Sequence, residues 1–267
     1  MKKLPADFKG EEVKDRLRKM GAINPLNIHL KQEIDRLQGV MKLTKWTLTN
    51  LRLAIAGTVA LTEDLISALN ALFDAVVPGA WLAKSWPSGT IGAWFTGLLN
   101  RYDQLFKWIS SGRPKAFWMT GFFNAQGFLT AMKQEVCRKH SKDGWALDEV
   151  VLWSEITHPA KEIESLKEGP AEGVYIYGLY LDGAGWHNKE NRLVDSEPKK
   201  MFYPCPILYA TGQKGSAAKR EDMQYSCPCY TQKARNMINF ITAFDLRTEV
   251  PPEKWILRSV ALLCTVD

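Results

Sequence analysis

Apolar residues recur at helical spacing through the first half of the chain. Asn24 and Pro25 form a capping residue followed by proline, which is typical of a helix start. The apolar positions that follow are Leu30, Ile34, Leu37 and Met41, then Leu48, Leu51 and Ile55, and Gly57 is a residue typical of a helix end. The pattern predicts one long helical region over residues 25–57.

Three further helices are predicted before residue 145. The second predicted helix opens at Thr62, Glu63 and Asp64 and closes at Pro78 and Gly79. The third runs from about Thr90 to Ser110, and the fourth starts near Asn124. Their apolar stripes are Leu65, Leu69, Leu72 and Val76; Ile91, Trp94, Phe95, Leu98, Tyr102, Leu105 and Ile109; and Phe128, Leu129, Met132 and Val136. Such stripes are typical of helix faces that pack in a core.

Near Trp145 the pattern changes from helical spacing to short strand-like runs. Residues 173–187 (GVYIYGLYLDGAGWH) are rich in β-branched and aromatic residues around an Asp-Gly-Ala-Gly turn. Alternation predicts that Val174 and Ile176 face one side of this strand, and that Tyr175, Tyr177, Leu179 and Leu181 face the other. Other predicted strands are DEVVLWSEIT (148–157), CPILYA, YSCPCYT, NFITAFDL and KWILRSVALL.

Strands that follow helices predict an α+β chain with two segregated halves, which we divide at 145/146. Several short strands without intervening helices favour an antiparallel barrel or sandwich in the second half. The charged stretch between Pro159 and Gly173 is the predicted long connection.

Composition and charge narrow the classes of protein. No apolar run approaches the roughly 18 to 20 residues that span a bilayer, and the N-terminal residues lack the apolar segment of a signal peptide. Five cysteines without framework spacing fit a reducing compartment, so we expect a cytosolic protein. The net charge is +6, and residues 1–50 hold 11 Lys and Arg against 6 Asp and Glu. That excess could favour an acidic partner, but its acids interleave with the bases, as expected of solvated helix faces.

Residues 113–132 (RPKAFWMTGFFNAQGFLTAM) crowd five large aromatics beside Pro114, Gly121 and Gly127. A base-stacking platform would interleave aromatics with Lys or Arg, and residues 116–132 contain neither. Burial is therefore favoured. We predict a packed corner between the third and fourth helices, with Trp118 and Phe122 in the core.

Searches for nucleotide and metal chemistry find weak candidates only. GQKGSAAK, residues 212–219, lacks the Gly-Lys-Ser/Thr of a phosphate loop and is predicted to be a mobile basic loop. Cys227 and Cys229, with Cys205 and His187 upstream, lack the second paired ligand cluster of a zinc site.

Searches for a nucleophile and its base do no better. Cys137 and His140 lie close together near a predicted helix end, but no third orienting residue is evident. His29, His158 and His187 stand alone, and Glu162 and Glu164 sit in the charged connection. We therefore predict no catalytic, cofactor-binding or metal-binding residue, and no enzymatic activity in this chain.

The predicted corner also resembles a known family. GRPKAFWMTGFFNAQGFLTAMKQE, residues 112–135, closely resembles the C-terminal region of dynein heavy chains, with its Gly-Arg-Pro, aromatic-Trp and Gly-Phe-Phe-Asn-Pro-Gln-Gly-Phe-Leu-Thr pattern. Further similar segments, in the family's order, are NIHLKQEIDRLQGVM, SWPSGTIGAWFTGLLNR, WALDEVVLWSEIT, GVYIYGLYLDGAGWH and WILRSVALLC. The Gly-Ala-Gly-Trp turn and the Cys-Pro-x-Tyr element at 227–230 are similar to axonemal rather than cytoplasmic members. Ala125 replaces the usual proline, and Thr231-Gln232 stand where Lys-Thr is common.

The resemblance implies a helical segment, residues 1–145, that packs on a ring of six AAA+ modules, followed by a small antiparallel β-barrel, residues 146–267. It implies a non-catalytic, regulatory C-terminal domain of an axonemal dynein heavy chain that steadies the ring and modulates the ATP-driven microtubule motor. ATP and Mg would bind elsewhere in the parent motor, and microtubules would be reached only through it, with no nucleic acid or membrane partner. The implied location is the cytoplasm and cytoskeleton, in a ciliary or flagellar axoneme.

Two other classes stay open at this point. A free-standing basic scaffold or RNA-binding protein would use the charge of residues 1–50 and show salt-dependent RNA affinity. A cysteine- or metal-dependent enzyme would be built around Cys205, Cys227 and Cys229, and stoichiometric zinc would reveal it.

Overall fold

A computed structural model describes residues 3–158, 163, 166–215 and 223–266, with only the backbone of residues 157 and 158. Internal contacts divide the described residues into two compact units. The first contains those of residues 1–23 and 27–112, and the second contains those of 24–26 and 113–266. Each unit is described separately below.

The first unit is helical. Its helices are α1 (Gly10–Met20), α2 (Pro25–Ile55, whose first two residues count with the second unit), α3 (Glu63–Phe73), α4 (Gly79–Leu82) and α5 (Ile91–Ser111). The long helix predicted over residues 25–57 is confirmed, and Gly57 follows it with a φ of 73°, in the left-handed region. The predicted caps are also present: the Thr62 hydroxyl accepts from Leu65 N at 3.4 Å, and the Thr90 hydroxyl accepts from Ala93 N at 3.2 Å.

Three helices of the first unit differ from the prediction. Helix α4 begins at Gly79, where Pro78 and Gly79 were expected to close a helix. Helix α1 was not predicted because only Val13 and Leu17 bury apolar side chains in an otherwise charged segment. Helix α3 ends at Phe73 rather than at Pro78. Ala75 takes a φ of 58°, a left-handed conformation that a continuing α-helix does not allow.

Three tryptophans form the aromatic centre of the first unit. The ring centroids of Trp81 and Trp94 lie 5.1 Å apart, and Trp86 stacks on Trp94 at 5.5 Å. The indole nitrogen of Trp81 donates to the Thr47 hydroxyl at 3.1 Å, which satisfies a buried polar atom. The guanidinium carbon of Arg101 lies 3.8 Å from the Trp86 ring centroid, so this buried charge rests on an aromatic face.

The second unit mixes two helices with short strands. Its elements are β1 (Phe117–Trp118), α6 (Ala125–Lys139), β2 (Val150–His158), β3 (Val174–Tyr177), β4 (Tyr180–Asp182), β5 (Gly185–His187), β6 (Arg192–Val194), β7 (Phe202–Pro204), β8 (Ile207–Lys214), β9 (Gln224–Tyr230), β10 (Phe240–Arg247), α7 (Glu253–Leu257) and β11 (Ala261–Leu263). Helix α6 contacts β2, β8 and β10. Helices that precede a run of strands confirm the α+β class.

The described strands form three sheets, ordered β1-β3-β8-β2, β10-β9-β11-β4-β7 and β5-β6. Most pairings are antiparallel, as predicted, but β1 pairs with β3 and β9 pairs with β11 in parallel. Within the described residues none of the three sheets closes on itself.

The segment 173–187 departs from the predicted continuous strand. Val174 and Ile176 are buried while Tyr175 and Tyr177 are half-buried, as alternation predicts. Gly178 then takes a φ of 84° and resets the alternation, so Leu179 and Leu181 are buried rather than facing with the tyrosines. The polypeptide enters a different sheet at β4, and again at β5.

The segment KWILRSVALL is also not the predicted strand. Its first part forms most of α7, which packs Trp255 inside, and only Ala261–Leu263 pair as β11. The predicted boundary at 145/146 falls between α6 and β2 and stays a prediction. No helix among the described residues is both long enough and apolar enough to cross a membrane.

Candidate functional site

The start of the segment 113–132 is held by charged hydrogen bonds within the second unit. Arg113 Nη1 donates to Glu135 Oε2 at 3.0 Å, and its Nη2 donates to the carbonyl oxygen of Gly173. The other Glu135 oxygen accepts from Asn24 Nδ2 at 2.8 Å. Glu135 thus ties the start of this segment to α6 and to the residues before α2.

Three phenylalanines form the core of this segment. Phe122 stacks on Phe128 with ring centroids 4.5 Å apart, and Phe117 lies 4.8 Å from Phe128. All three are buried, which confirms the prediction for Phe122. The prediction that Trp118 is core is wrong, because its side chain is only half-buried. Phe117, which precedes it in the two-residue strand β1, points inward instead.

Thr120 links two distant parts of the second unit. Its hydroxyl lies 2.9 Å from the carbonyl oxygens of both Gly178 and Cys264. Asn124 then begins α6 as predicted, because its Oδ1 accepts from Gly127 N at 2.9 Å. These contacts are structural, and they present no reactive group to solvent.

The three cysteines considered as metal candidates, Cys205, Cys227 and Cys229, are buried in the second unit together with Cys264, whereas Cys137 is half-buried. Burial raises the pKa of the Cys205 thiol to about 12 and holds the pKa of Cys227 well above its usual range. A hydrogen bond with Cys264, together with burial, raises the pKa of Cys229. Neutral thiols are poor nucleophiles and poor metal ligands. In the described parts of the protein, no three His, Cys, Asp or Glu side chains are grouped to hold a metal ion.

His187 lies at the end of β5, where its Nδ1 accepts from the backbone N–H of Glu190 at 3.2 Å. That hydrogen bond closes a local turn. No described residue around it completes a catalytic site.

His140 has two acidic partners that the sequence did not reveal. Its Nδ1 lies 3.0 Å from Asp143 Oδ2, and its Nε2 lies 3.0 Å from Glu172 Oε1. These hydrogen bonds, first that of Asp143 and then that of Glu172, raise the pKa of the imidazole. The ring also stacks on Trp145 with centroids 4.3 Å apart.

This arrangement argues against a Cys137–His140 pair. The Cys137 thiol donates to the Trp145 carbonyl at 3.4 Å. Both nitrogens of His140 are engaged by carboxylates, so the ring has no free lone pair with which to accept the thiol proton. His140 instead ties the end of α6 to the residues just before β3.

His29 lies on α2 in the first unit and is buried. Burial, with a smaller contribution from Arg36, lowers its pKa to about 4. The 3.9 Å between its Nε2 and Glu33 Oε1 would otherwise suggest an ion pair, but a neutral ring at neutral pH makes this a simple contact.

The remaining candidates fall partly outside the described residues. Outside them lie the side chain of His158, both Glu162 and Glu164, and residues 216–219 of the predicted basic loop. Residues 212–214 belong to β8 rather than to a loop, and Lys214 Nζ lies 3.2 Å from Glu149 Oε2.

The described residues form no catalytic or metal site that would identify the protein, but comparison with known proteins gives its family. The family model for the C-terminal domain of dynein heavy chains matches residues 1–264. Similar proteins include the dynein gamma chain of the flagellar outer arm of Chlamydomonas reinhardtii, 56% identical over 269 residues, and dynein axonemal heavy chain 5 of Mus musculus, 49% identical over 266. Dynein axonemal heavy chain 8 of Homo sapiens is 48% identical over 266 residues. The whole of the present sequence is covered in each case, and it spans 6% of the length of each relative.

Proposed function

This protein belongs to the family formed by the C-terminal domains of dynein heavy chains, and from that membership we propose that it is a non-catalytic, regulatory domain of an axonemal dynein heavy chain. It packs on the AAA+ ring of the same heavy chain and modulates the ATP-driven microtubule motor. The observation that carries the proposal is the match over residues 1–264 together with 56% identity to a flagellar outer arm protein. Because the relatives are named for the axoneme and the flagellar outer arm, we infer the same location.

The proposal assigns residues 1–145 to ring packing and residues 146–267 to a small antiparallel barrel. The barrel is supported by a contact between two sheet edges. The backbone N–H of Asp245, on edge strand β10, donates to the Ser154 hydroxyl of edge strand β2 at 2.9 Å. The edges of the four-stranded and five-stranded sheets thus approach each other.

Large apolar side chains in solvent support docking of both segments, because residues 146–267 expose them as well as residues 1–145. Met237 and Ile238, in the loop between β9 and β10, are 89% and 92% exposed, and Leu257 of α7 is 86% exposed. Phe73, in the first unit, is 89% exposed. A contiguous apolar patch in solvent is typical of a surface that another protein covers, and among these residues Met237 and Ile238 are adjacent.

The test uses the intact axonemal heavy chain. Ile238→Asp should change microtubule gliding velocity and microtubule-stimulated ATPase, because it places a charge in a covered apolar contact. Asn236→Asp is the matched control: it adds the same charge in the same loop and keeps the acceptor for Asn239 N. If both variants leave the motor unchanged, the docking of this loop on the ring is wrong.

The same proposal predicts that the native polypeptide is much heavier than this 267-residue sequence. An antibody to residues 113–132 should detect, in a denatured ciliary extract, a polypeptide many times heavier than 30.2 kDa. A band at 30.2 kDa would instead favour the free-standing scaffold or RNA-binding protein.

A further inference from the structure

Ser141 lies on the surface of the second unit, directly after the end of α6. The helix ends at Lys139, and residues 141–143 form a single 3₁₀ turn that closes at Gly144, which has a φ of 70°. Ser141 is exposed to solvent, and so are Arg138 and Lys139, the two bases in the last turn of α6. A second protein can therefore reach this hydroxyl and the basic turn together.

The spacing of these groups matches a known recognition chemistry. A guanidinium stands three residues before the hydroxyl of Ser141 and an ammonium stands two residues before it. Ser141 is the only Ser or Thr of the sequence with an arginine three residues before it. Basophilic protein kinases read this spacing with acidic side chains, which bind a guanidinium through two parallel hydrogen bonds. The helix dipole also favours bases in a last turn, so the exposed hydroxyl at this fixed distance is what distinguishes the site.

The turn around Ser141 is held closed by contacts that cost little to open. The His140 carbonyl oxygen accepts from Asp143 N at 3.0 Å and from Trp145 N at 3.3 Å. The ion pair between His140 Nε2 and Glu172 Oε1 joins side chains that are 31% and 33% exposed, and pairs of such exposure contribute little. A kinase binds its substrate in an extended form, and helix ends open at low free energy. These contacts therefore slow access to the hydroxyl without blocking it.

We propose that Ser141 is phosphorylated by a basophilic protein kinase and that the phosphate loosens the end of α6. The Oγ of Ser141 forms a bond to the γ-phosphorus of ATP held by the kinase, and the bond from that phosphorus to the β–γ bridging oxygen breaks. ADP leaves, and the hydroxyl proton goes to the catalytic base of the kinase. This site is separate from the proposed ring docking and does not depend on it.

The phosphate adds a charge of about −1.5 to −2 at pH 7. At Ser141 this charge lies beside the last carbonyl groups of α6, which form the negative end of the helix dipole. It also lies two residues before Asp143 and near Glu172, and like charges at a helix C-terminus disrupt it. Arg138 and Lys142 offset only part of this repulsion, because both are exposed and screened by salt. The end of α6 therefore separates from the residues just before β3.

The first experiment incubates the intact polypeptide with MgATP and the catalytic subunit of cyclic AMP-dependent protein kinase. Mass spectrometry of the peptide that contains residue 141 measures the phosphate. We expect phosphate on Ser141 in the parent and none on this peptide in Ser141→Ala. Arg138→Gln should slow the reaction about tenfold or more, as for the loss of a charge-assisted hydrogen bond. Lys142→Gln is the matched control, because it removes an exposed charge on the other side of the serine, and it should keep the rate of the parent.

Two further measurements test the part that the fold plays. Glu172→Ala removes the tie to His140 without changing the sequence that the kinase reads, and it should raise the rate by at most about fivefold. After phosphorylation, amide hydrogen exchange should be faster at residues 136–146 and 171–177 than in Ser141→Ala treated in the same way. The proposal is overturned if Ser141 carries no phosphate, or carries it only after the protein has been unfolded. It is also overturned if Arg138→Gln and Lys142→Gln slow the reaction equally, or if phosphorylation leaves the exchange unchanged.

Discussion

A methyl group placed on Gly178 would lie 2.4 Å from Cδ1 of Trp118. The indole of Trp118 therefore lies directly over the backbone at the point where the polypeptide leaves β3. Because Gly178 also has a φ of 84°, a side chain at this position would meet both a steric and a conformational penalty.

We expect Gly178→Ala to destabilise the protein by at least about 3 kcal/mol, from the strained φ and the overlap with Trp118. Gly144→Ala is the matched control, because Gly144 has a φ of 70° but open space around its Cα. It should cost only about 1 kcal/mol. Urea unfolding of both variants makes the comparison, and equal losses would mean that the overlap with Trp118 contributes nothing.

Phe128→Ala should cost about 3–5 kcal/mol, because this fully buried ring contacts both Phe117 and Phe122. Trp118→Ala should cost less, since half-burial leaves part of the indole in water in the native state. The midpoints of denaturant unfolding, compared between variants with the same m-value, test which substitution destabilises the protein more. A larger loss for Trp118→Ala would contradict the assignment of Phe128 as the centre of this core.

The raised pKa of His140 makes stability depend on pH. A histidine whose folded pKa lies above its unfolded value of 6.5 stabilises the protein fully below pH 6.5, and the contribution is lost as the pH rises through the higher folded pKa. The melting temperature of the parent should therefore fall across this interval more than that of His140→Gln.

The carboxylates provide the control for this pH effect. In the His140→Gln background, Asp143→Asn and Glu172→Gln should leave the pH profile above 6.5 unchanged, because their partner charge is already gone. If the melting temperatures of the parent and of His140→Gln change equally with pH, then protonation of the imidazole does not contribute to stability.

The buried cysteines should be unreactive in the native protein. At neutral pH a thiol reagent should spare Cys205, Cys227, Cys229 and Cys264, and all five cysteines should react after unfolding. Zinc added in stoichiometric amount should leave the melting temperature unchanged. Rapid native labelling of Cys227 or Cys229, or stabilisation by zinc, would revive the cysteine- or metal-dependent enzyme.

The helices could be predicted where one apolar face is long and the cap residues are visible. Leu30, Ile34 and Leu37 are all buried on α2, and Asn124 caps α6 as its sequence position suggests. Helix α1 was not predicted because its two buried residues, Val13 and Leu17, are too few to define a helical period of apolar positions.

The strands and the side-chain clusters were less predictable, for two physical reasons. The left-handed backbone at Gly178 divides one apparent strand between two sheets. The φ of a single glycine cannot be predicted from the sequence, because glycine adopts positive and negative φ values with similar ease. His140 and Glu172 are 32 residues apart and meet only after folding. Pairings set by tertiary structure carry no local sequence period.

Strand β11 lies in the middle of the five-stranded sheet, between β9 and β4, although every other described strand precedes it in sequence. A ribosome must therefore release residues 261–263 before β10-β9 and β4-β7 can join. A frameshift or stop codon shortly before Ala261 would leave two unconnected half-sheets with open edges, exposed to aggregation and degradation. The loss of the three residues of β11 would then separate the two halves of this sheet.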